Sequence, residues 1–212
     1  HQLTSAIEMS NLNRLFHHGD HVFVARQTGT NGPPPDGIFL KALNTDDLGL
    51  AADVSGIDAD AAGMIVHDNK LYVAIPGDWQ SSTGKMAIVD LNTLTLEDEV
   101  DFGAEGIGIS DLFIYQDKIY SVNKSPYGIT TGYVAKYDPA GSDWETTLIN
   151  HTTGRGYGIK GNLLFLGLDF GIGSFDLNNM QVFENEIVPD PGSLIYVFIN
   201  SAVVDTVNNR VF

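Results

Sequence analysis

The chain has 212 residues, 43% of them hydrophobic, enough to bury a core in one domain or in one continuous repeat array. Lys and Arg number 11 against 27 Asp and Glu, and the formal net charge of −16 repels phosphate backbones and anionic membrane surfaces, so nucleic acid is not an expected partner. Cysteine is absent, which removes disulfides, Cys-ligated zinc and thiol catalysis together. No apolar run of about 18 residues is present to span a bilayer. The opening HQLTSAIEM lacks the basic start and apolar core of a signal peptide, and His1 reads as a cut end.

In chain order, apolar stretches alternate with short polar turns. RLFHHGDHVFVA from Arg14 is a hairpin: an apolar strand, a tight polar turn, and a second strand rich in β-formers. GIFLKALN from Gly37 adds a third strand. The pattern then returns as GMIVHDNKLYVA from Gly63 followed by KMAIVDLNTLTLEDEVDFG from Lys85, and as DLFIYQDKIYSV from Asp111 followed by GYVAKYDPAGSDWETTLIN from Gly132. GYGIKGNLLFLG from Gly156 and GIGSFDLNNMQVFENEIV from Gly171 make a fourth copy, and VVDTVNNRVF from Val203 a looser fifth. The turn residues Asp20, Asn69, Asp117, Asn162 and Asn209 recur at intervals of 49, 48, 45 and 47 residues. Each unit thus carries four strands, a to d, with turns at Leu91-Asn92, Asp138-Pro139 and Leu177-Asn178 between c and d.

Four antiparallel strands every 40 to 50 residues predict an all-β propeller. The expected blades are 14–62, 63–110, 111–155 and 156–202, with a partial blade at 203–212, all within one domain. Inner strands should be buried between blades, and the fourth strand, which holds Glu97, Asp98, Glu99 and Asp101, should be the wet rim. A β-helix predicts shorter repeats, and a sandwich predicts no fixed period. Because the last copy stops two strands into a unit, four units plus remnants read as part of a ring of six to eight blades.

Asn69 to Gly103 resembles a repeat of the YVTN type found in bacterial and archaeal surface-layer-like β-propellers. Tyr72-Val73, then Ala87-Ile88-Val89-Asp90 and Asn92-Thr93, match its strand, strand and turn; Ala74 stands where that motif has Thr. Ile119-Tyr120, Tyr137-Asp138 and Phe175-Asp176 repeat the pattern in outline. The resemblance implies a propeller in an extracytoplasmic setting: secreted, periplasmic or at the cell surface. It implies no particular activity.

In a propeller the b–c and d–a connections emerge on one face, around the mouth of the axial channel, where ligands are held. Long b–c loops start at Arg26, Ile75 and Asn123; d–a loops start at Asp53, Gly103, Asn150 and Pro189. Trp79 and Tyr127 occupy equivalent b–c loops and could stack a sugar or peptide, although loop aromatics often fold back on their own blade. Asp58 and Asp60, before Gly63, resemble half of a calcium loop; the third position is Ala62 and no closing Glu follows, so an ordinary acidic turn competes. Glu105 lies in the next d–a loop, and Asp111 is the acidic residue of a column otherwise held by Gly63 and Gly156. His151, Arg155 and Tyr157 share one d–a loop and offer a cationic fork with a titratable ring.

His17, His18 and His21 invite a metal reading. The repeat places His18 with His67, Tyr115 and Lys160 at the a–b turn, and His21 with Lys70 and Lys118, so both are expected to be exposed turn residues. Gly156 to Gly161 matches G-x-G-x-x-G, but a strand follows where a dinucleotide site needs a helix. No catalytic residue or metal ligand is therefore assigned, and Ca2+ is the one cofactor worth testing. The expected function is a non-enzymatic scaffold binding a protein, peptide or glycan on the loop-rich face. The alternative is a propeller hydrolase, lactonase or lyase with a divalent metal in the channel.

Overall fold

The computed structural model describes residues 7–77, 81–124, 131–150, 152–168, 171–189, 204–205 and 210–211. Four four-stranded antiparallel sheets follow one another, each running a-b-c-d in chain order. The first holds β1 (Leu12–His18), β2 (His21–Arg26), β3 (Leu40–Asn44) and β4 (Leu50–Val54). The second holds β5 (Met64–His67), β6 (Lys70–Ile75), β7 (Lys85–Asp90) and β8 (Thr95–Asp101). A 3₁₀ turn at Gly103–Gly106 leads to β9 (Leu112–Tyr115), β10 (Lys118–Lys124), β11 (Gly132–Asp138) and β12 (Asp143–Ile149). The fourth sheet holds β13 (Thr152–Lys160), β14 (Leu163–Leu168), β15 (Gly171–Asp176) and β16 (Gln181–Pro189). A short pair, β17 (Val204–Asp205) with β18 (Arg210–Val211), lies in the looser fifth copy.

Tight a–b turns set the register. Asp68 and Asn69 have φ of 46° and 59°, and Gln116 and Asp117 of 48° and 58°, the left-handed pair whose twist matches that of the flanking strands. The Asp that ends strand c closes the next turn. Asp90 Oδ1 accepts from the Asn92 and Thr93 amides at 2.7 and 3.0 Å, Asp138 from Ala140 at 3.0 Å, and Asp176 from Asn178 at 2.9 Å. The c–d pairs of the first, second and fourth sheets are bulged, which increases the twist of the outer strand.

The core lies between sheets, in three clusters for four sheets. Alternate residues of one strand serve different neighbours: Leu71, Val73 and Ile75 of β6 pack toward the first sheet, while Tyr72 and Ala74 pack toward the third. A strand buried on both faces reads as a continuous apolar run, as KLYVAI does. Tyr120 and Val122 likewise meet Leu164 and Leu166 of the fourth sheet. The d strands are wet, as expected. The innermost a strands are not buried as expected: β1 is exposed or half-buried throughout and β5 is half-buried throughout. Their apolar side chains still pack on the inter-sheet clusters, Phe16, Met64 and Val66 on the first and Ile65 on the second, but each a strand is the edge of its sheet, so these side chains are only partly covered.

Close packing of sheets leaves no room for side chains where connections cross. A Cβ on Gly84 would overlap the Gly106 carbonyl, and one on Gly108, at φ 76°, would overlap that of Lys124. Gly108 N–H donates to the Pro76 carbonyl at 3.0 Å, tying the connection after the second sheet to that sheet's b–c loop. No helix among the described residues is long and apolar enough to cross a membrane.

Candidate functional site

The b–c and d–a connections share one face, and their described parts are held by side-chain bonds. Arg26, 2% exposed, ends β2 and anchors the first b–c loop. Its guanidinium donates to Asp36 Oδ1 at 2.6 Å, to the Ile38 carbonyl at 2.8 Å and to the Ser10 carbonyl at 3.0 Å. Lys41 Nζ bridges Asp36 and Asp53 at 2.9 and 2.5 Å. The bond from Lys41, helped by Arg26 and the Ile38 amide, outweighs partial desolvation and holds the Asp36 carboxyl well below the usual carboxylate range. Asn11 Nδ2 donates to the Gln27 and Gly32 carbonyls at 2.9 and 3.0 Å, closing the loop tip where Gly29 and Gly32 bridge.

The sequence-derived candidates fall differently around this face. Asp60 accepts from both the amide and the hydroxyl of Thr28 at 2.7 Å, so it ties the first d–a connection to the first b–c loop. Asp58 is exposed. Glu105 sits in the 3₁₀ turn; its carbonyl accepts from the buried Asn123 amide at 2.9 Å and its carboxylate accepts from Thr146 on the outer strand β12. That carboxylate is thus directed at the rim. Asp111, just before β9, forms an ion pair with Arg14 of β1 at 3.0 Å, and both side chains remain partly exposed. Asn13 Nδ2, beside Arg14, donates to the Ala61 carbonyl at 2.7 Å. First and third sheets therefore meet at the mouth of the axis.

Arg155 and Tyr157 lie within strand β13, not in a loop as the glycines of TTGRGYG suggest. The strand pairs with β14 through two register shifts, at positions where Gly154 and Gly158 take φ of 75° and 146°. Arg155 is exposed; burial pushes the Tyr157 phenol up, against the opposing pull of Thr153 and Arg155. Trp79, Tyr127 and His151 lie outside the described residues. His17 and His18 are exposed, whereas His21 is half-buried, its ring 6.1 Å from that of Phe23, because the second strand of the hairpin enters the core at once. No three or more His, Asp or Glu converge as a metal site among the described residues. Sequence reasoning missed Arg14, Arg26 and Lys41. Arg26 was visible only as the first residue of a loop, and Arg14 as a strand residue, with no sign of their partners.

Four successive antiparallel blades with their loops gathered at one face define a β-propeller. No protein-family model matches the chain, and no curated protein matches it. Among solved structures it is similar to the Dos1 propeller, with 13% identity over 88% of this chain and a TM-score of 0.61. It is also similar to the β-propeller domain of Cps50 (Swd1) from Myceliophteria thermophila, with 13% identity over 89% and a TM-score of 0.62. The computationally designed Ika4 protein matches with 14% identity over 84% of this chain and 99% of its own, at a TM-score of 0.60. The chain spans about half the length of the two natural propellers, 46% and 59% respectively. At these identities the likeness is one of fold.

Proposed function

We propose that this chain is a non-enzymatic, extracytoplasmic propeller scaffold of the YVTN surface-layer-like kind that recognises a protein, peptide or glycan on its loop-bearing face. The observation that carries the reading is the fixation of the first b–c loop by Arg26, Asn11 and Asp60, beside the partly exposed Arg14–Asp111 pair at the channel mouth. Loops already held in one shape lose little entropy on binding, which is how a rigid scaffold gains affinity. Trp79 and Tyr127 would add stacking area from neighbouring loops. The chain spans about half of the two natural propellers it resembles, which supports a reading in which it acts as part of a ring of six to eight blades.

Glycan and peptide arrays probed with the wild type, Arg14→Ala and Asp111→Asn test this. The reading expects a ligand whose affinity falls at least about tenfold in both variants. A ligand bound equally by all three would refute the site. A thermal-shift series with calcium and EDTA addresses the other class: a Tm raised by calcium and lowered by EDTA would favour a metal-dependent propeller enzyme instead.

A further inference from the structure

On the opposite face, where a–b and c–d turns emerge, the second and third blades leave a cavity of about 260 Å3 between them. Its inner wall is formed by two tyrosines from facing strands. Tyr72 of β6 and Tyr137 of β11 are 1% and 3% exposed, with ring centroids 6.3 Å apart. Both line the cavity, and neither hydroxyl makes a hydrogen bond among the described residues. Tyr120, the residue one blade along that corresponds to Tyr72, instead bonds the Leu177 carbonyl at 3.5 Å. The rings are buried but neither hydroxyl is sealed off, so both open onto the cavity, and two phenols side by side without a protein partner leave polar capacity for something outside the protein. Burial, with Tyr137 alongside, pushes the Tyr72 phenol up to about 12, so it is neutral and able to accept as well as donate.

The charge at the mouth selects the visitor. Lys70 is already bonded to Glu97 at 2.7 Å and Lys118 to Asp138 at 2.5 Å. Asp98 and Asp117 also line the cavity, are exposed, and form no ion pair among the described residues; Asp68 has only His67, at 3.3 Å. The unneutralised charge facing a ligand is therefore negative, on a protein of net charge −16. An anion is repelled. At about 260 Å3 the cavity sits at the lower edge of the range of ligand pockets, about 300–1,000 Å3, and has room for one long side chain. We propose that this inter-blade cavity receives an arginine or lysine side chain presented by a basic protein partner, its N–H groups bonding the Tyr72 and Tyr137 oxygens and its charge facing Asp98 and Asp117.

The site lies away from the loop-bearing face, so its test is independent of the function proposed above. The probe is acetyl-Gly-Arg-Gly-amide titrated by NMR, with the citrulline peptide as an uncharged isostere. The arginine peptide should shift resonances of the second and third blades and bind at least about tenfold tighter than the citrulline peptide. Tyr72→Phe with Tyr137→Phe removes only the two hydroxyls and should weaken binding about fivefold or more. Asp98→Asn with Asp117→Asn should weaken it further, whereas Asp20→Asn, at the corresponding turn of the first blade, should leave it unchanged. Equal binding of the two peptides, full affinity in the tyrosine double variant, or an equal loss in Asp20→Asn would each overturn the proposal. No shift in these blades at about 10 mM peptide would do the same.

Discussion

Replacing Leu71 by alanine should loosen one inter-blade interface and leave the others intact. Leu71 is fully buried in β6 and belongs to the cluster between the first and second blades, together with Phe23, Leu40 and Val89. Loss of Cγ and both Cδ carbons removes about 2.4 kcal/mol of transfer energy at about 0.8 kcal/mol per carbon. The cavity left behind, walled by close-packed strands, raises the expected cost to about 3 kcal/mol or more. Leu164→Ala removes the same atoms from the cluster between the third and fourth blades. Because the two clusters share no residue and a third cluster lies between them, the two losses should add to within about 0.5 kcal/mol. Urea unfolding of both single variants and the double variant measures the sum, and hydrogen exchange locates each loss. Leu71→Ala should speed exchange in the first two blades and leave β14 and β15 protected. A cost below about 1 kcal/mol, or faster exchange spread evenly over all four blades, would refute the assignment of separate interfaces.

Other perturbations probe the connections and charges. Gly108→Ala forces a side chain onto a left-handed residue and into the Lys124 carbonyl, and should cost about 1–3 kcal/mol in urea denaturation. Asp60→Ala removes both bonds to Thr28 and should speed proteolysis within residues 27–36, with a stability loss of about 1 kcal/mol. The Asp36 carboxyl is held low by Lys41, so its contribution is complete above about pH 4 and is lost as pH falls below that. Lys41 responds oppositely. Desolvation pulls its pKa down but bonds to Asp53 and Asp36 prevail and raise it, so its contribution is complete below about pH 10 and is lost above. Asp36→Asn should therefore flatten the acid arm of a plot of urea midpoint against pH, between about pH 2 and 5.

The periodicity was legible because it is local. Returning hairpins, turn-closing Asp residues at 90, 138 and 176, and apolar runs such as KLYVAI each depend on neighbours within a few residues. The wet outer strand could likewise be read from Glu97, Asp98 and Glu99. By contrast, TTGRGYG looks like a loop in sequence because its glycines suit either a loop or a bulged strand. Only pairing with β14 decided for the strand.

By itself, then, the amino-acid order determined the unit: four strands, their order, and which turns join them. Which half of each apolar strand meets which neighbour, and which polar groups end up together, was decided by stacking the units about an axis. Arg14 and Asp111 become partners two blades apart, and Tyr72 and Tyr137 bound one cavity from facing sheets. Strand periodicity fixes the direction of a side chain relative to its own sheet, but a contact between sheets also requires their separation and rotation. Those are set by the summed volumes of all the buried side chains, a quantity no short stretch of sequence contains.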